Sequence, residues 1–64
     1  MKNFQIILKI QDKYIIRNES NYRKLQPYLD GYDNHTEIEE IQIFARKKKS
    51  YALIFKQNRR KIGF

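Results

Sequence analysis

The sequence has no cysteine, no tryptophan and no valine, a single proline, a single histidine and only two glycines. Without Cys, neither a disulfide nor a thiolate metal site can staple the chain, which excludes the disulfide scaffold and the zinc ribbon. Two Gly residues cannot build a phosphate-cradling loop of any standard form, and one His with no Cys leaves no recognised catalytic signature. No enzymatic activity, cofactor or metal is expected. Long apolar runs are also missing. Phe4–Ile10 is interrupted by Gln5 and Lys9, too broken for a signal peptide, and nothing approaches the roughly 20 apolar residues of a membrane span. The expected setting is the cytoplasm, away from any membrane. Acids are in deficit: seven Asp and Glu stand against fourteen Lys and Arg, a formal charge of +7 on 64 residues.

What is present suits one small domain, 1–64. A chain this short buries only about 60% of the surface its unfolded form exposes, so its core must be compact. Ten Ile, four Leu and nine Phe or Tyr are enough for such a core and argue against disorder. Ile, Lys, Asn and Tyr all have A/T-rich codons. Their abundance fits a phage, a mobile element, a low-G+C bacterium or an organelle, and carries no chemistry.

Phe4, Ile6, Leu8 and Ile10 alternate with Gln5, Ile7, Lys9 and Gln11, the period of a strand with one buried face. Ile7 interrupts the polar side, so the second face is expected to be partly covered too. A polar link at Gln11-Asp12-Lys13 leads to Tyr14–Arg17, giving a hairpin of strands 4–11 and 13–18. Asn18, Ser20 and Asn21 are suited to cap a helix. Tyr22, Leu25, Leu29 and Tyr32 then share one helical face. Pro27 inside a helix costs ~3 kcal/mol, so the helix expected over 20–30 should be kinked or split near Gln26-Pro27. Asp30-Gly31 is the expected stop, with Gly31 as a left-handed C-cap.

The stretch from Glu37 onward supports two readings. Thr36-Glu37-Ile38-Glu39 matches a capping box, and acids precede Arg46–Lys49 as a helix dipole prefers. Against that, Ile41, Ile43 and Ala45 alternate with Gln42, Phe44 and Arg46, and Tyr51, Leu53 and Phe55 alternate after the link Lys47–Ser50. Two such runs around a polar four-residue link read as a hairpin, and this is the preferred reading. The expected fold is therefore α+β, a β-β-α-β-β domain with one short helix packed on an antiparallel sheet; the alternative has a second helix at about 37–49. The expected core is Ile6, Leu8, Leu25, Leu29, Ile41, Ile43, Leu53 and Phe55. Tyr14, Tyr28 and Tyr32 suit its boundary, and Phe64 ends the chain as a docked staple or a frayed tail.

Charge is distributed unevenly. Residues 30–40 carry five of the seven acids and no Lys or Arg, whereas 46–61 carries eight Lys or Arg and no acid. His35 lies in the acidic segment without a recognised ligand spacing, so it reads as a solvated loop residue, and the acids lack the pattern of a calcium loop. The basic third is the strongest functional feature. On a hairpin, Lys47, Lys48 and Lys49 sit at the tip beside Arg46, while Lys56, Arg59, Arg60 and Lys61 lie toward the other end of the returning strand. Such a stripe suits phosphates along a nucleic-acid backbone, and Tyr51 beside the tip is suited to stack on a base. The expected function is a small, basic, non-catalytic protein that binds DNA or RNA through a C-terminal β-ribbon. The alternative is a protein-interaction module, such as a phage-type inhibitor or a small subunit, whose edge strand pairs with a partner protein or a second copy.

Overall fold

Alternation in the sequence becomes a four-stranded antiparallel sheet. The computed structural model describes residues 3–59. Its elements are β1 (Phe4–Ile10), β2 (Lys13–Glu19), a 3₁₀ turn (Tyr22–Leu25), α1 (Gln26–Asn34), β3 (Ile38–Lys47) and β4 (Ser50–Asn58). The order across the sheet is β2-β1-β3-β4, so the two Ile-rich strands are central. This is the β-β-α-β-β fold expected from the sequence, with 37–49 in a hairpin rather than a second helix.

The split expected at Pro27 is present. Asn21 caps the 3₁₀ turn, its side chain accepting a hydrogen bond from the Arg23 N–H at 2.9 Å. The chain then re-enters a helix with Pro27 in its first turn, where a missing N–H costs nothing. Gly31, however, does not end the helix. It lies inside α1, which runs on to Asn34 and closes with the His35 N–H donating to the Gly31 carbonyl at 2.9 Å. The extra turn carries Tyr32 onto the sheet, where it is buried.

The core consists of Ile6 from β1, Ile38, Ile41 and Ile43 from β3, and Leu25 and Tyr32 from the helical segment, with Leu8 and Leu29 partly buried against them. Ile38 reaches this face through a bulge: Lys9 pairs with Glu40 and Ile10 with Ile38, leaving Glu39 extra. A second bulge corrects the sequence expectation for β4. Ile43 faces Phe55 and Phe44 faces Leu53, so Ile54 is extra and the alternation Tyr51–Leu53–Phe55 breaks there. Leu53 falls on the sheet face away from the helix and is 49% exposed. Phe55 falls on the helix side but is still 37% exposed, because the helical segment packs on β3 and leaves a groove between itself and β4.

Both hairpins reverse in two residues, at Gln11-Asp12 and Lys48-Lys49. In each, the first residue is left-handed without being glycine: Gln11 has φ 55° and Lys48 φ 49°. β3 and β4 run past the start of β1. Phe4 pairs with Ala45, and the Arg46 N–H donates to the Asn3 carbonyl at 2.8 Å; beyond that, among the described residues, Lys47 pairs only with Ser50 of β4. The protruding hairpin draws the domain out to 44 × 21 × 18 Å.

Candidate nucleic-acid interface

Arg46, Lys47, Lys48 and Lys49 cap the protruding hairpin, with Lys47–Lys49 exposed and Arg46 at its neck. Among the described residues no carboxylate pairs with any of them. The acids Asp30, Asp33, Glu37, Glu39 and Glu40 lie around the C-terminus of α1 and the start of β3, at the opposite end of that strand. The long axis of the domain therefore separates a cationic tip from an acidic base. His35 belongs to the base, its Nδ1 3.7 Å from a Glu37 carboxylate oxygen with both side chains solvated. No three potential metal ligands cluster among the described residues, and no helix there is long and apolar enough to cross a membrane.

Cross-strand pairing orders the face away from the helix into rows. Arg46 pairs with Tyr51 next to the tip. Below them come Asn18–Gln5–Phe44–Leu53, then Ile16–Ile7–Gln42–Lys56, then Tyr14–Lys9–Glu40–Asn58. Three of the residues picked from the sequence, Arg46, Tyr51 and Lys56, thus share one face of the sheet with each other. Glu40 is the single acid in these rows, and the Gln42 amide donates to its carboxylate. The Lys9 ammonium lies 5.9 Å from the Tyr14 ring centroid.

Arg59 does not join the tip. Its Nε donates to the Ile38 carbonyl at 3.0 Å, and its Nη2 donates to the carbonyls of Tyr32 and His35. The guanidinium carbon also sits 4.1 Å from the Tyr32 ring centroid. The contact to Tyr32 satisfies a carbonyl in the last turn of α1, and the His35 carbonyl also accepts from the Ile38 N–H at 3.0 Å. The guanidinium places a cation at the negative end of the helix. Arg59 is thus turned into the fold instead of out to a ligand. Arg60, Lys61 and Phe64 lie outside the described residues.

The sequence reading passed over most of the open face. Its one signal was Ile7, the apolar residue on the polar side of β1. In the sheet Ile7 is joined there by Ile16 and flanked by rows holding Tyr14 and Phe44. A separate groove of about 430 Å³ opens on the helix side between Leu25, Leu29, Ile54 and Phe55. Tyr28 on α1 turns toward the other edge of the sheet, its hydroxyl donating to a carboxylate oxygen of Glu19 on β2 at 2.7 Å. That bond, then burial, then the Glu19 charge, push the Tyr28 pKa above its usual 10.0, against a smaller opposing effect of Arg17. No protein-family model, no curated protein and no solved structure matches the chain.

Proposed function

We propose that this chain is a small, non-catalytic nucleic-acid-binding protein of the cytoplasm that contacts the phosphate backbone with the tip of the β3–β4 hairpin. The observation that carries this reading is the set of four consecutive cations, Arg46–Lys49, on a hairpin projecting beyond the sheet with no carboxylate partner among the described residues. Cations at a projecting tip contribute to binding by releasing counterions from phosphates. Such contacts position a protein without reading bases. Lys56, farther along the same strand face, extends the field, whereas Arg59 serves the fold.

The test is a titration of the parent and of a Lys47→Ala/Lys48→Ala/Lys49→Ala variant against labelled duplex DNA, single-stranded DNA and RNA at two salt concentrations. The parent should lose affinity steeply with salt. The variant should bind more weakly, with the salt slope smaller by about 0.7 to 0.9 for each phosphate that is no longer neutralised. Equal binding of parent and variant at moderate salt would sink the proposal.

A protein-contact role is the second reading, favoured by the groove beside β4 and by that strand's place at the edge of the sheet. Addition of a strand from a partner protein or a second copy would cover Ile54 and Phe55. The bulge at Ile54 works against it, because bulges twist an edge away from regular pairing. Sedimentation over a range of concentrations separates the readings, since self-pairing through β4 requires a concentration-dependent dimer.

A further inference from the structure

The sheet face turned away from the helix is unusual for a solvated face. Such faces are normally polar along each strand. Here Tyr14, Ile16, Tyr51 and Leu53 are 59%, 50%, 41% and 49% exposed, and Ile7 and Phe44 lie half-buried between them. Apolar and aromatic residues left on a surface in one contiguous set mark a binding site. The rows also hold Lys9, Arg46 and Lys56 against the single acid Glu40, together with the amides Gln5, Gln42, Asn18 and Asn58.

We infer that this face is a stacking platform for a single-stranded nucleic acid, with bases lying on Tyr51, Phe44 and Tyr14 and phosphates meeting Arg46, Lys56 and Lys9. The inference rests on the nucleic-acid reading above and adds which form of nucleic acid is bound, and where. Charge complementarity selects the occupant. A polyanion neutralises the three interleaved cations, whereas a second copy stacked on this face would bury them against their own kind at an unfavourable desolvation cost. The chemistry is mixed in the way a single strand requires, with rings for base faces, cations for phosphates and amides for base edges. A duplex keeps its bases stacked internally and offers this face nothing but phosphates, so it would engage the tip alone. From Tyr51 on β4 to Tyr14 on β2 the diagonal is about 25 Å, from strand spacings and residue rises, a length suited to a short run of nucleotides. It begins beside the cationic tip, so one strand can follow tip and face without interruption.

The test uses Tyr14→Leu and Tyr51→Leu, separately and together. Both rings are exposed, and Leu keeps apolar volume while removing the π face, so the fold should survive; circular dichroism checks that it does. The probes are a single-stranded oligothymidylate of about 12 nucleotides, within the usual site sizes, and a duplex of the same length. Tyrosine emission supplies a second readout, because the chain has five Tyr and no Trp. The parent should bind the single strand with quenched tyrosine emission. Each substitution should weaken single-strand binding by roughly fivefold or more, as loss of one stacked base implies. Duplex affinity and the salt slope should stay unchanged. If the variants bind the single strand as the parent does, with a steep salt slope retained, the platform is refuted and the tip reading stands. If the parent binds neither probe at moderate salt, both readings fail. A dimer of the parent that the double variant converts to monomer would also overturn the platform, by making this face a contact between copies.

Discussion

Lys48 is a test point where strain and charge can be separated. It holds φ 49° at the hairpin tip, and Gln11 holds φ 55° at the corresponding place in the β1–β2 turn. A left-handed backbone costs an L-residue roughly 1–2 kcal/mol. Glycine removes that cost but loses about 0.5–1 kcal/mol more conformational freedom on folding. The net expectation for Lys48→Gly and for Gln11→Gly is a gain of about 0.5–1 kcal/mol, or a Tm higher by roughly 2–8 °C in a domain of this size. The two substitutions should then diverge in binding. Lys48→Gly removes a tip cation and should lower the salt slope for single strands or duplex by about 0.7 to 0.9, while Gln11→Gly leaves binding alone. Lys48→Ala completes the set, removing the charge without relieving the strain, so its affinity should fall with no gain in Tm. Thermal unfolding followed by circular dichroism reads the first quantity, and oligonucleotide titration at two salt concentrations reads the second. A Tm unchanged by both glycine substitutions would refute the strain argument. Parental binding by Lys48→Gly and Lys48→Ala would refute the assignment of Lys48 as a phosphate contact.

Gly31 lies mid-helix, and a Cβ built there meets nothing within 4 Å; Gly31→Ala should therefore stabilise the domain by about 0.5–1 kcal/mol, read as a higher urea midpoint, and a lower midpoint would show the space to be filled. Arg59→Ala strips hydrogen bonds from the carbonyls of Tyr32, His35 and Ile38 and should cost about 2–3 kcal/mol. Arg59→Lys should recover little of that, since an ammonium lacks the guanidinium fork; a Tm unchanged by Arg59→Ala, with weakened nucleic-acid affinity, would return Arg59 to the binding surface. The raised pKa of Tyr28 means that the folded state holds this proton more tightly than the unfolded chain. Its contribution to stability is complete below the unfolded value near 10.0 and is lost as pH rises through the folded one. As pH rises from about 9 through 10 and beyond, the parent should therefore lose more stability than Tyr28→Phe, and parallel denaturation midpoints for the two would contradict the Glu19 hydrogen bond.

Most of the fold was legible because its causes are local. Period-two alternation marks β1, and Pro27 can enter a helix only in its first turn, which fixes the break between the 3₁₀ turn and α1. The bulges were not legible. Nothing in Glu39 or Ile54 marks them as extra residues, since a bulge arises from two strands pairing out of phase. The bulge at Ile54 sends Leu53 and Phe55 to opposite faces and undoes the expectation that both are buried. Arg59 illustrates a different limit. A cation in a basic run reads as surface, and only the return of β4 past the end of α1 brings open carbonyls within reach of its guanidinium. For the open face, Ile7 suggested a second face partly covered by the fold, whereas no described element packs there; the apolar set it belongs to was hidden because its neighbours Ile16 and Phe44 lie in other strands or rows.

The tip contains two local costs at one place. Arg46–Lys49 sets four like charges in succession on a narrow hairpin, and Lys48 adds a left-handed backbone that Gly or Asn would adopt more readily. An Asn-Gly or Asp-Gly turn would reverse the chain without either cost. Solubility does not require the arrangement, since cations spread over the surface would serve equally well and would not repel one another. Sequences that fold well are locally consistent, and departures from that rule concentrate at functional sites. A polyanion relieves one of the two costs by neutralising the tip, so the binding reading accounts for the crowding of charge, whereas a purely structural reading leaves it unexplained. The open face fits the same view. One helical segment packed on β3 cannot cover both sides of four strands, and the side that the described residues leave bare carries rings and cations among its amides, more apolar surface than a face built only for solvent would need.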